Sequence, residues 1–274
     1  MQAVYGLYTL NLSQLLRLLV WIVSVYLACV SGAIKQVAAD DRNRAIKIAT
    51  ASNFLLPLKY IKLKFEKEYA IKLKITAGST AKLYAQIMNG APYDIFLAAD
   101  KLTPQKLVGD GIARFEDEFQ YVQGQLVLWT VNSKYKNNED LKQRLISLDF
   151  RRLALANPKT APYGRAAMEV LGYFDLHVPR SRLILGESVG QAYQFTSSGN
   201  VDMGFVAYSQ VKTDLLEGSY WVLPAEAYQP IYQYGILLAY DRQKDEQKIN
   251  AGQFVKYLQS QDVQKILRQR FGYL

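Results

Sequence analysis

The chain has 274 residues, with 33 Lys and Arg against 24 Asp and Glu and a formal net charge of +9. Half of it is hydrophobic and 21% is charged, which excludes intrinsic disorder, coiled coil and collagen and leaves enough chain for one large core or two modest ones. With one Cys and one His in the whole sequence, no Cys/His zinc site, disulfide framework or Cys–His catalytic pair can be assembled, while the positive balance suits an anionic partner without choosing among phosphate backbone, lipid head group and small oxyanion.

The first 39 residues differ in kind from the rest. They hold no Asp or Glu and only two cations, Arg17 and Lys35. An apolar stretch from Leu15 to Ala33 ends in Ser31, Gly32 and Ala33, and Val37-Ala38-Ala39 precedes Asp40. This pattern predicts a secretory signal peptide over 1–39, cleaved after Ala39, and a periplasmic protein. The competing reading is a retained anchor running through Leu18 to Ala28. Cys29 does not read as a lipoprotein cysteine, because Tyr26 stands where such signals carry an aliphatic residue.

Beyond the leader, short β-rich runs alternate with amphipathic helical stretches. Ala45 to Ala49 predicts a strand, followed by a helix through Leu56, Ile61 and Phe65; Ile71 to Ile75 alternates with period two, and Leu83 to Met88 is helical. Asp94 to Ala98, between Pro92 and Asp100, predicts a buried strand. Further strands are predicted at Gln125–Val131, Arg152–Ala156, Leu183–Gly186, Met203–Ala207 and Ile236–Tyr240, and one terminal helix over Phe254–Phe271. The βαβαβ rhythm predicts α/β architecture with mostly parallel sheets. Two lobes fit the usual domain size better than one sheet. With no linker in the sequence, the chain is expected to cross between them through strands, near Tyr121–Gly124 and Leu223–Ala225, giving lobe 1 as 40–122 plus 224–274 and lobe 2 as 123–223.

Four strand-to-helix junctions carry small or polar residues: Thr50-Ala-Ser-Asn53, Ala77-Gly-Ser-Thr80, Pro162-Tyr-Gly164 after Ala156-Asn-Pro158, and Gly186-Glu-Ser-Val-Gly190. Taken singly, such residues are helix caps. Taken together, four helix amino ends beyond the carboxyl ends of strands make an anion site that needs no cationic side chain.

These junctions also carry a family likeness. Ala49-Thr-Ala-Ser-Asn53, Gly78-Ser-Thr-Ala-Lys-Leu83 with Tyr84-Ala-Gln-Ile87, and Gly90-Ala-Pro-Tyr-Asp-Ile-Phe-Leu-Ala-Ala-Asp100 are followed in order by Ala156-Asn-Pro158, Ala161-Pro-Tyr-Gly164, Gly186-Glu-Ser-Val189, Gly199-Asn-Val-Asp-Met-Gly-Phe-Val206 and Phe254-Val-Lys-Tyr-Leu258. Through these motifs, from about Ile46 to the carboxyl end, the chain resembles the periplasmic molybdate-binding proteins of ABC transporters. The resemblance implies a two-lobed, class II-type binding protein, each lobe a mostly parallel sheet flanked by helices, with the ligand in the cleft between lobes. It implies a monomer that closes on molybdate or tungstate and delivers it to a membrane permease. No cofactor, catalytic residue, direct metal-ion ligand or nucleic acid is implied.

Carried over by residue, the resemblance implies donors from Ser52 and Asn53, from Ser79 or Thr80 (the choice stays open), and from the backbone N–H groups of Tyr163 and Val189. Tyr208 is a lesser candidate, because Ala207 stands where some relatives place a ligand Tyr. Three other readings remain: a binder of another tetrahedral oxyanion such as sulfate, a ferric-binding protein using some of the 20 Tyr residues, and a secreted Ser-dependent hydrolase. Iron would lack carboxylate and imidazole partners near these tyrosines. A hydrolase would need Ser52 or Ser79 outside any Gly-x-Ser-x-Gly elbow, with His177 as the lone base. His177 reads instead as a surface loop residue, and the Lys-rich run Lys59 to Lys74 as a solvated helix face and strand.

Overall fold

A computed structural model describes residues 45–134, 137–212, 218–238 and 245–274, together with Val23. The predicted leader, Val23 apart, and the last two residues of the predicted strand Ile236–Tyr240 lie outside the described residues. Contacts divide the chain into Met1–Ala45 and Ile46–Leu274, and both sheets belong to the second unit. No helix among the described residues is long and apolar enough to cross a membrane.

The first sheet begins with β1 (Ile46–Ala51), β2 (Leu73–Gly78) and β3 (Ile95–Leu97), joined by helices α1 (Leu55–Tyr69) and α2 (Thr80–Met88). β1 is buried along nearly all of its length, as a strand covered by helices on both faces must be. Ile46 and Ile48 meet Leu58, Ile61 and Phe65 of α1 on one face. Ala49 meets Leu83 and Ile87 of α2 on the other. α1 tolerates Pro57 because a first-turn residue has no intrahelical N–H bond to lose, and it stops at Ala70, which takes a left-handed conformation with φ of 56°. After α3 (Leu102–Gly109), the long strand β4 (Ala113–Gly124) leads out of this sheet.

Gln125 alone separates β4 from β5 (Leu126–Thr130), the first strand of the second sheet. That sheet adds β6 (Leu153–Ala156), β7 (Leu183–Gly186), β8 (Met203–Ala207) and β9 (Ser219–Val222), with helices α4 (Asn138–Ile146), α5 (Pro162–Tyr173), α6 (Val189–Ser197) and the short α7 (Tyr208–Val211) between them. β5 shows why the alternation forms a strand: Leu126 and Leu128 face the core under α5, while Val127 and Trp129 face the other side with Val206. The chain then returns to the first sheet as β10 (Ile231–Leu238) and ends in α8 (Asp245–Leu258) and α9 (Gln261–Phe271).

The strand orders are β2-β1-β3-β10-β4 and β7-β6-β8-β5-β9. In each sheet the first three strands are parallel, and the last two pairings are antiparallel. Four of five strands therefore share a direction, with β10 and β5 reversed. Sequence reading found only the crossing end of β4, near Tyr121–Gly124, did not find β9, and joined the end of α8 to α9 as one helix. The break falls at Ser260, whose hydroxyl caps α9 by accepting from the Val263 N–H at 3.5 Å. The predicted late strand also starts earlier than expected, at Ile231, because Ile231, Gln233 and Gly235 are buried in alternation with the more exposed Tyr232 and Tyr234.

At the crossing, Gly124 leaves no room for a side chain: a Cβ there would lie 2.1 Å from the Tyr163 hydroxyl and 2.6 Å from Gln233 Nε2. Replacing Gly124→Ala should destabilise the protein by about 1–3 kcal/mol through overpacking. Thermal denaturation checks this, with the melting temperature expected to fall.

Candidate anion-binding site

The carboxyl ends of β1, β2, β6 and β7 deliver the four sequence junctions to one place. A cavity of about 10 Å³, counted as room for the centre of a water-sized sphere, is lined by Ser52, Asn53, Ser79, Thr80, Tyr163 and Val189, with Ala51, Gly78, Ala99, Ala161, Pro162 and Ser188 completing the wall. Six of the seven sequence-predicted residues are thus brought together. Among the described residues, no carboxylate, Lys or Arg lines the cavity. A wider groove of about 570 Å³ shares Ser52, Gly78, Ser79 and Ser188 and opens outward past Lys82, Gln86, Glu187 and Gln194.

Each hydroxyl at the wall is oriented by a backbone donor. Ser52 Oγ accepts from Gly190 N–H at 3.0 Å, Ser79 Oγ from Lys82 N–H at 3.4 Å, and Thr80 Oγ1 from Ala99 N–H at 3.2 Å. With an acceptor lone pair committed in each case, the hydroxyl proton remains for a ligand. Ser79 is therefore a helix cap and a candidate donor at once, and the geometry keeps both Ser79 and Thr80 in the set. The backbone contributes as well. Tyr163 and Val189 lie in the first turns of α5 and α6, where N–H groups have no intrahelical partner and the helix dipole is positive. Pro162 at the start of α5 spares a second orphan donor there.

Tyr208 is not part of this wall. Its hydroxyl lies 3.4 Å from that of Tyr220, and its ring packs so closely under Gly272 that a Cβ there would approach to 2.5 Å. Burial, and then the Tyr220 hydroxyl, push its pKa up to about 12. The turn from β8 into α7 directs this side chain to β9 and the carboxyl terminus, away from the cavity. His177 is an exposed residue 3.8 Å from Asp175.

Contacts between the two sheets' layers hold the cavity shut. Besides the Gly190–Ser52 bond, Ala81 N–H donates to the Thr160 carbonyl at 3.2 Å. Lys82 pairs with Glu187 at 2.5 Å on one side, and Arg165 with Asp100 at 2.8 Å on another. Gly190 must be glycine-sized, because a Cβ would come within 2.9 Å of Ser52 Cβ.

A model of the family described as bacterial extracellular solute-binding protein matches residues 46–274. The chain belongs to this family. It is 40% identical over 233 residues to Molybdate-binding protein ModA of Azotobacter vinelandii, a match covering 83% of this chain and 89% of that one. The protein of the same name from Rhodobacter capsulatus is 35% identical over 251 residues, covering 90% and 94%. The solved structure of the Azotobacter vinelandii periplasmic molybdate-binding protein matches with a TM-score of 0.77 at 35% identity, over 84% of this chain and 98% of that one. The two mixed sheets flanked by helices are thus the two-lobed periplasmic binding protein fold.

Behind the cavity, sequence reading missed a buried polar cluster. Asn53 Nδ2 lies 2.8 Å from Gln233 Oε1 and 3.2 Å from the Tyr273 hydroxyl. Gln233 also reaches the hydroxyls of Tyr121 and Tyr163, at 3.0 and 3.1 Å. Ser209 donates to the Asn53 carbonyl at 3.0 Å, which in a continuous helix would accept from residue 57, here Pro57 with no N–H. The one available sequence signal was Gln233, a polar residue in the inward phase of β10.

Burial pushes the pKa values of Tyr121, Tyr163 and Tyr273 above the ordinary 10.0, the first two strongly. A tyrosine held neutral in the fold stabilises it fully below pH 10 and loses that contribution as pH rises, because only the unfolded chain releases the proton. Each of the three should cost up to about 1.4 kcal/mol per pH unit above 10. Melting temperatures should fall steeply there, and an absorbance titration should show these tyrosines ionising only with unfolding.

Proposed function

We propose that this protein captures molybdate, or tungstate, outside the cytoplasmic membrane and hands it to the permease of an ABC transporter. Its lobes are 40–122 plus 224–274 and 123–223, an assignment supported by the single-residue crossing at Gln125 and the return after Val222. The 1–39 leader is read as a signal peptide, the location as periplasmic and the protein as a monomer with no catalytic role. The observation that carries the reading is the neutral cavity wall: hydroxyl protons of Ser52, Ser79 and Thr80 and first-turn N–H groups of Tyr163 and Val189 around one small space. Such dipoles hold a fully ionised oxyanion without burying a counter-charge.

The chemistry also separates candidate anions. Hydrogenphosphate carries a proton that needs an acceptor, and no carboxylate lines the cavity. Sulfate matches molybdate in charge, and the preference over it rests on the two relatives named for molybdate. Titration calorimetry with molybdate, tungstate, sulfate and phosphate is expected to show 1:1 binding, far tighter for the first two. Equal affinity for sulfate would overturn the molybdate assignment.

Removing one donor to a charged ligand costs about 1.5–3 kcal/mol, roughly tenfold to a hundredfold in affinity. Ser52→Ala and Thr80→Ala should each weaken molybdate binding by such a factor while leaving far-ultraviolet circular dichroism unchanged. Parent-like binding by both variants would place the anion elsewhere.

A further inference from the structure

The cluster behind the cavity fixes something that a list of ligand residues leaves open: which end of the Asn53 amide faces the anion. The oxygen and nitrogen of an amide exchange places in a half turn, so the protons of the neighbours decide the orientation. In one orientation, Asn53 Nδ2 donates to Gln233 Oε1 and to Tyr273, and Gln233 Nε2 donates to Tyr163. Three groups are then misfitted. Tyr121 has one proton but faces two acceptors at 3.0 Å, the Ala98 carbonyl and Gln233 Oε1. The Tyr163 hydroxyl accepts from Gln233, and its own proton has no acceptor among the described residues. Asn53 Oδ1 is buried with no partner, in a side chain only 1% exposed.

Turning both amides over repairs Tyr121 and Tyr163 with the heavy atoms in place, and changes the unpaired Asn53 group from an acceptor to a donor. The Ala98 carbonyl can only accept, so the Tyr121 proton goes to it, and the Tyr121 oxygen accepts from Gln233 Nε2. The other hydrogen of Nε2 goes to Asn53 Oδ1, which also takes the Tyr273 proton otherwise directed to the Asn53 carbonyl at 3.2 Å or to Ser209 Oγ at 3.1 Å, and the carbonyl keeps its bond from Ser209. Tyr163 donates to Gln233 Oε1. The Asn53 NH₂ group then occupies the place of the orphaned oxygen. Its unfilled hydrogen bonds call for an acceptor, and Asn53 lines the cavity.

We infer that Tyr121 and Gln233 are positioning residues that turn the Asn53 NH₂ group toward the anion, and so exclude oxyanions that carry a proton. Asn53 is the one side-chain amide among the residues lining the cavity, and no carboxylate joins it. Its orientation therefore decides whether the wall presents a strong acceptor. The inference rests on the proposed molybdate site and adds a direction to it: a relay from the end of β3, through Tyr121 of β4 and Gln233 of β10, to the loop after β1.

The test is nitrogen-15 NMR of the parent protein titrated with sodium molybdate, with the Asn53 side-chain resonances identified by their loss in Asn53→Ser. These amide protons are expected to shift on saturation, a readout that needs no further variant to fold. Tyr121→Phe, which frees Gln233 to turn, should weaken molybdate binding about tenfold and narrow the gap to phosphate. Gln233→Glu, whose carboxylate only accepts, should draw the NH₂ group back and weaken binding at least a hundredfold. If the parent binds molybdate while the Asn53 amide protons stay in place, or Tyr121→Phe keeps parent affinity and selectivity, the inference falls and the function stands. If the parent does not bind molybdate, both fall.

Discussion

A doubly charged anion taken out of water loses a large hydration energy, and a buried counter-ion would lose its own as well. The proposed anion site answers that constraint with dipoles alone. No Lys or Arg lines the cavity. The nearest cations are held at the rim, Lys82 against Glu187 and Arg165 against Asp100. Positive character at the wall comes instead from hydroxyl protons and from the first turns of α2, α5 and α6. Ser79 and Thr80 are oriented by backbone donors of their own lobe, and an uncharged wall is not repelled by itself when empty.

The architecture follows from placing those dipoles. Parallel strands send every following helix back from the same edge, so helix amino ends gather beyond the carboxyl ends of β1, β2, β6 and β7. Two lobes are needed because each sheet contributes only one such edge, and converging donors must surround the anion. The reversed strands β10 and β5 have a different task. They lie beside the crossings, and β10 carries Gln233, which touches both Asn53 and Tyr163. The second crossing is thereby tied to both halves of the site.

Much of this was legible in the sequence, for physical reasons. Strand periodicity and the capping residues Ser79 and Ser188 are local features, and a helix amino end shows itself within a few residues. Six of seven candidate residues came together because each belongs to such a junction. Tyr208 failed because its direction is set by Tyr220 and Gly272, which are distant in sequence. The cluster of Tyr121, Gln233, Tyr273 and Ser209 was illegible for the same reason, since Asn53 and Tyr273 are 220 residues apart. The first part of β4 was missed because its charged stretch Arg114 to Glu118 conceals the alternation that marks a half-buried strand. The break at Ser260 was missed because neither Gly nor Pro marks it, and the one local signal is a capping Ser between two apolar-rich runs whose buried faces differ by about half a turn.

Closure and binding share a hydrogen bond. Ser52 stands on the loop after β1, and the N–H that commits its lone pair belongs to Gly190 at the start of α6, in the other lobe. Only when the lobes meet is that hydroxyl fixed as a donor toward the cavity. The rim ion pairs are solvent-exposed on at least one partner, and such pairs contribute about 0.2–1 kcal/mol each. They adjust the balance between open and closed forms, but they cannot by themselves hold the lobes together against separation. A ligand that accepts from both lobes supplies the larger differential, because its donors are gathered only in the closed form. By linkage, the same differential that closes the lobes on the anion is the one that tightens the anion in the closed lobes. On this reading, the affinity of the proposed site is a property of lobe closure as much as of the wall.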